Sequence, residues 1–194
     1  MFLQKLRNDT AEFHVALEKN PYSIALMGAN VTIEDYSTYL QKLYGFVYGF
    51  EKTVFPLLRV LDTDIENRRK APLMESDLLK LDCDLTQIPV LSETVFEKHY
   101  GDEVAALGGL YVLEGSMLGG NIIKKHLQDI LSDSVTNKTG YFTAYGTDLS
   151  KVWKNFLSLL TYNASSTEKE EVIIKSAINT FSLIDKWMAS SIIN

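Results

Sequence analysis

Two groups of residues in this chain have types and spacing suited to chemistry. The first is Tyr111-Val112-Leu113-Glu114-Gly115-Ser116-Met117-Leu118-Gly119-Gly120-Asn121. It lies inside a long helical pattern, yet it carries Gly115, Gly119 and Gly120. Each interior glycine costs a helix about 1 kcal/mol relative to alanine. Losing the side chain also lets the backbone approach a ligand closely. The segment is therefore expected to bend and to lie directly against something flat. Gly115 and Gly119 are one turn apart, as are Ser116 and Gly120, and Gly108 lies two turns before Gly115. This spacing traces a side-chain-poor strip along one helical face. Close packing of two helices through small residues explains the same spacing and stands as the alternative.

The second group is Leu6-Arg7-Asn8-Asp9-Thr10-Ala11-Glu12-Phe13-His14-Val15-Ala16-Leu17-Glu18. Helical spacing puts Leu3, Arg7, Thr10, His14 and Leu17 on one stripe beside the apolar Phe2, Leu6 and Phe13. A histidine at such a border is either a packed, hydrogen-bonded core residue or a ligand. Two companions favour the ligand. Glu18 lies one turn on, where its carboxylate can accept the second imidazole N–H and orient the ring. Arg7 lies two turns earlier, about 10 Å away at helical rise, where a guanidinium suits a carboxylate.

The glycine-bearing segment and the His14 segment, which comes first in the chain about a hundred residues earlier, resemble the distal and proximal helices of the heme oxygenases, in the family's order. Weaker similarity runs through Leu43–Glu51, Gly140–Trp153 and Thr180–Trp187, nearly the whole chain. The resemblance implies an all-α fold that sandwiches heme between a proximal helix and a kinked distal helix. It implies His14 as the iron ligand, Glu18 as its carboxylate partner and Arg7 as a propionate contact. Thr10, Tyr111 and Lys124 join them as heme-binding candidates. Gly115, Gly119 and Gly120 become the floor beneath heme, and Ser116 the anchor of distal water. Some members of the family have aspartate where this chain has Ser116. A hydroxyl both donates and accepts, so it can hold water but supplies no carboxylate charge. The implied reaction takes heme as substrate and cofactor together. It consumes dioxygen and electrons from an external donor protein, and it releases biliverdin, iron and carbon monoxide. Lys124 and Lys125 are ordinary surface lysines by default and, on the resemblance, part of a docking patch for that donor.

Two rival functions stand beside this one. A heme carrier or sensor would keep His14 and lack turnover. A thiamin-degrading enzyme of similar architecture needs a nucleophilic cysteine, and Cys83 has no supporting motif. His99 and His126 are not at chelating spacing with each other or with His14, and no His-Glu-x-x-His occurs.

The 194 residues suit one domain over 1–194. With 19 basic and 25 acidic residues the formal net charge is −6, which argues against a nucleic-acid partner. No apolar run is long enough to span a bilayer, and the N-terminus is too charged for a signal-peptide core. The single cysteine excludes an internal disulfide and fits a reducing cytoplasm.

The elements that must hold these groups all read as helices. Pro21, Pro56, Pro72 and Pro89 fall at or near helix junctions. The expected helices cover about 2–19, a short piece after Pro21, 33–60 behind a Thr32 cap, 64–82, 92–100, and a glycine-bearing helix over 102–131. Asp148 or Ser150 caps a helix to about Tyr162. Ser165–Glu168 opens the last helix, which ends near Ile192. Tyr44, Tyr48 and Phe50, with Gly45 and Gly49, read as a core stripe or, on the resemblance, as heme-pocket wall. Tyr111, Tyr141, Phe142, Trp153 and Phe181 are core or pocket aromatics, Lys175 and Lys186 are further propionate candidates, and Asp62–Lys70 reads as a solvated turn and helix face.

Overall fold

A computed structural model describes residues 1–190 and is entirely helical over them, with no strand among the described residues. The order is α1 (Phe2–Glu18), α2 (Pro21–Leu26), α3 (Ile33–Thr53), α4 (Phe55–Leu58), α5 (Ala71–Lys80), α6 (Glu93–His99), α7 (Glu103–Ser116), α8 (Gly120–Leu131), α9 (Leu149–Asn163) and α10 (Thr167–Ala189), with short 3-10 turns between. The all-α expectation holds. The expected end near Ile192 lies outside the described residues.

Local chemistry sets most boundaries. Thr32 and Asp35 form a reciprocal capping box at the start of α3, with Asp35 N–H donating to Thr32 Oγ1 at 3.1 Å and Thr32 N–H to Asp35 Oδ2 at 2.9 Å. Asp102 accepts from Ala105 N–H at 2.8 Å to open α7, and Ser166 accepts from Lys169 N–H to open α10. Three expected helices are interrupted. The 33–60 helix divides at Val54, because Pro56 cannot donate back to the preceding turn. The 64–82 helix is a 3-10 turn over Ile65–Arg68 followed by α5, with Pro72 in the first turn of α5. The glycine-bearing helix divides into α7 and α8 around a 3-10 turn at Met117–Gly119. That turn is the bend its glycines called for.

Helix α10 is the spine. It packs along α7, where a Cβ on Gly108 would meet Ile173 O at 2.4 Å, and Ser176 Oγ donates to Ala105 O at 2.6 Å. Helix α1 lies on another side of α10, with His14 edge-on to Phe181 at 5.8 Å between ring centroids. Helix α3 brings Phe46 and Phe50 into a cluster with Phe55, Phe96 and Tyr100. Each large side chain fully buried there contributes about 1.5–3 kcal/mol of transfer free energy. Tyr44 and Phe50 of the expected stripe are thus core, while Tyr48 is exposed. Gly45 and Gly49 let loop 89–96 approach α3, since Cβ atoms there would sit 2.2 Å from Pro89 O and 2.6 Å from the Phe96 ring. They are packing glycines, not heme-pocket wall.

Candidate functional site

On α1 the sequence stripe divides by depth. Phe2, Leu6 and Thr10 are buried, while Arg7, His14 and Glu18 are exposed one face over. His14 Nδ1 lies 3.5 Å from Glu18 Oε1, and the His14 side chain is 59% exposed. The other ring nitrogen takes no partner among the described residues. Val15 is exposed beside it. His14 is therefore no packed core histidine. Its ring has a carboxylate beside one nitrogen and is open at the other.

Helix α1 meets the glycine-bearing segment at Thr10. The Tyr111 phenol faces the Thr10 hydroxyl and the Arg7 guanidinium, and both pull its acidity back against the upward push of burial. Thr10 Oγ1 itself donates to Leu6 O at 2.8 Å. Arg7, Thr10 and Tyr111 thus come together, a contact between distant segments that no spacing along the chain predicts. Trp153 of α9 packs against Tyr111 at 5.8 Å and lies 3.7 Å from the position a Cβ on Gly115 would take.

The three glycines do not share one strip, which corrects the expectation of a single groove. Gly115 is covered by Trp153. Gly119 has nothing within 4 Å of its Cβ position, and its neighbours Leu118 and Ile122 are exposed large apolar residues. Gly120 is buried, and a Cβ there would meet Phe142 O at 2.2 Å. It admits the backbone of the 3-10 turn at Tyr141–Thr143 rather than a ligand. The physical reason is the 3-10 turn at Met117–Gly119, which changes the angular step per residue, so that i, i+4 spacing no longer keeps a face.

Ser116 is exposed at the bend. Its hydroxyl donates to Leu113 O at 2.8 Å and faces the Tyr141 phenol. Burial pushes Tyr141 far above the ordinary phenol range, and nearby Tyr39 is pushed up to about 12 for the same reason. Tyr141 therefore stays a protonated donor. Sequence reasoning grouped Tyr141 only with generic pocket aromatics, because its partner lies in another element.

Three further expectations meet the structure here. Lys124 shares a face of α8 with Gly120 and Gln128 by one-turn spacing. With Lys80, Thr139 and Thr143 it lines a separate groove, away from the Arg7–Thr10–Tyr111 contact. His126, whose Lys124-Lys125-His126 context reads as a solvated or propionate-side face, is part-buried, with Nε2 3.1 Å from Gly28 O. The charged run Asp62–Lys70 is solvated only in part: Asp64, Glu66 and Asn67 are exposed, while Arg68 and Lys70 are buried to 13% and 5% exposure. Lys70 reaches Glu114 Oε1 at 3.1 Å and the Tyr145 hydroxyl at 2.6 Å. Arg68 Nη1 donates to Glu114 Oε2 at 3.1 Å, and Tyr145 donates to the same carboxylate at 2.7 Å. Desolvation draws the Lys70 ammonium below its ordinary range. Glu114 directly precedes Gly115, so this network fixes the end of α7. It was missed because charged residues default to solvent.

Comparison with known proteins follows the same outline. A family model described as heme oxygenase matches residues 1–190. The structure is similar to a heme oxygenase from Leptospira interrogans, with a TM-score of 0.79 at 16% identity over 97% of this chain and 98% of that one. It is similar to the heme oxygenase-1 of the cyanobacterium Synechocystis in complex with heme, with a TM-score of 0.75 at 16% identity over 96% and 90% of the chains. A domain of unknown function from Shewanella denitrificans with a heme oxygenase-like fold is comparably similar, with a TM-score of 0.75 at 14% identity over 99% and 97% of the chains. No functionally curated protein matches the chain. Among the described residues no helix is long and apolar enough to cross a membrane.

Proposed function

Because the chain belongs to the heme oxygenase family through residues 1–190, we propose that it binds heme through His14 and cleaves it oxidatively to biliverdin, iron and carbon monoxide. The observation that carries this reading is the His14–Glu18 pair, with a carboxylate oxygen 3.5 Å from one ring nitrogen and the other nitrogen open. A neutral imidazole with its second N–H accepted by a carboxylate is the arrangement that fixes a metal-ligating tautomer. The surroundings fit heme. Val15, Leu118 and Ile122 offer exposed apolar surface, Gly119 leaves its side-chain space empty, and Arg7 supplies a cation on the His14 helix.

Bound heme supplies the iron that takes dioxygen and the macrocycle that is cleaved, while electrons come from an external donor. The chain's own residues do the positioning. Glu18 orients His14, and Arg7 pairs with a heme carboxylate. Thr10 and Tyr111 hold α1 against α7, and the bend at Met117–Gly119 brings backbone instead of side chain to the ligand face. Ser116 holds water and passes a proton at its Oγ, with the Tyr141 phenol behind it as donor.

A heme carrier without turnover is favoured by one observation: Trp153 already covers Gly115. Aerobic single turnover of the reconstituted complex, with products separated by chromatography, decides between them. Stoichiometric biliverdin and a lost Soret band support the oxygenase. A stable oxy complex returns the protein to the carrier reading.

A further inference from the structure

Asp77 is a carboxylate buried on α5, at 1% exposure. Lys80, three residues on, is exposed and acts on it across space. The Asp77 oxygens are turned to backbone instead. Oδ2 accepts the Tyr141 N–H at 2.8 Å, and the Gly140 N–H is a second donor. Charge-assisted bonds of this kind are stronger than neutral ones, and they fix the direction of the amides they hold. Apolar packing sets no such direction.

Two other elements close on the same turn. Tyr36 of α3 donates its O–H to Lys138 O at 2.5 Å. Phe142 O lies 2.2 Å from the position a Cβ on Gly120 would take, at the start of α8. The turn is thus gripped from α3, α5 and α8, and Tyr141 leaves it with its phenol facing Ser116. The Ser116 hydroxyl already donates to Leu113 O at 2.8 Å, so its lone pairs remain to accept from the phenol. A phenol passes a proton to a hydroxyl only within hydrogen-bond reach, about 2.5–3.0 Å between oxygens. A turn that drifts by an ångström breaks that contact.

We propose that Asp77 is a positioning residue for proton delivery on the distal side: by fixing the Gly140 and Tyr141 amides it holds the Tyr141 phenol on Ser116. The purpose of this device rests on the oxygenase reading, while its geometry rests on α5, the turn and the end of α7 alone. The rival way to hold the phenol is packing of the Tyr141 ring against Phe142, 5.2 Å away between centroids, and beside Tyr39. Ring packing would make Asp77 dispensable.

Tyrosine carrying an isotope label at Cζ reports the phenol by NMR in the heme-free full chain. The Tyr141 resonance is identified by its loss in Tyr141→Phe. Ser116→Ala is expected to shift it. In an Asp77→Asn background, where an amide N–H replaces one acceptor oxygen, Ser116→Ala should shift it no further. Asp77→Ser, too short to reach the turn, is the second variant should Asp77→Asn fail to fold by circular dichroism. In the heme complex, Asp77→Asn should slow bilin formation about tenfold, the loss of one hydrogen bond, at unchanged heme affinity. In a Tyr141→Phe background the same substitution should slow it less than about twofold, because the two residues act as one unit. No shift on Ser116→Ala in the wild-type chain, a full shift in the Asp77→Asn chain, or rate losses that multiply in the double variant would each overturn the proposal. Coupled resonances in a protein that makes no bilin would overturn the oxygenase reading and leave the positioning of the phenol standing.

Discussion

At the scale of single residues, the glycines separate cleanly into those that serve packing and those that leave room. Gly120→Ala is expected to destabilise the fold, because its Cβ would press on Phe142 backbone that cannot yield. Overpacking of this kind costs about 1–3 kcal/mol. Gly119→Ala meets nothing and improves helix propensity, so urea denaturation should show equal or greater stability. Leucine at Gly119 should then block heme while sparing the fold; normal heme affinity in that variant would show that the open space at Gly119 is not used. His14 is exposed enough that His14→Ala should leave stability within about 0.5 kcal/mol of wild type. It should remove the iron–histidine stretching signal of the heme complex, and added imidazole should restore ligation. An unchanged stretch would assign the ligand elsewhere. Ser116→Ala removes one hydrogen bond, about 0.5–1.5 kcal/mol, so bilin formation per bound heme should slow about tenfold with little change in heme affinity. Tyr141→Phe should slow it in the same direction. Equal rates in both variants, where hydroxylation limits turnover, would place proton delivery on backbone groups around the bend.

At the scale of elements, the α7–α8 bend is held by buried charge. Lys70→Met leaves Glu114 with Arg68 and Tyr145 but without its ammonium partner, and breaking such a buried pair costs about 3 kcal/mol or more. Replacing both partners by apolar residues, Lys70→Met with Glu114→Leu, should recover most of that loss in chemical denaturation. Failure to recover would mean that the network acts through Arg68 and Tyr145 more than through the pair. Asp77 joins α5 to the turn at Tyr141, and burial raises its carboxyl above the ordinary range in spite of the N–H groups it accepts. A raised folded value means that the folded state holds its proton to higher pH than the unfolded chain. The associated stability is full below the unfolded value near 3.8 and is lost as pH rises through the folded one. Asp77→Asn lacks this dependence. The melting temperature of wild type relative to Asp77→Asn should therefore rise as pH falls from 7 toward 4, and a constant difference would remove Asp77 from the linkage.

At the scale of the whole molecule, the sequence by itself determined the helical class, the order of the main helices and the placement of Arg7, Thr10, His14 and Glu18 on one helix. Short-range spacing carries that information. Arg7, Thr10, His14 and Glu18 lie on one helix, where 3.6 residues per turn fix their mutual placement whatever surrounds them. The Thr32–Asp35 capping box and the glycine-bearing bend are local in the same sense. Only the tertiary structure decided what each glycine faces, because a 3-10 turn at Met117–Gly119 rotates α8 against α7 and partners from distant segments fill the faces. Trp153 reaches Gly115 and Phe142 reaches Gly120 from elements that no periodicity links to them. The same holds for Lys70 and Arg68, which a local reading leaves in water. Their burial depends on a carboxylate 44 residues away in the chain at Glu114, and on Tyr145 beyond it. Local pattern fixes what a helix presents, while long-range packing decides which of its faces meets solvent, another helix or a ligand.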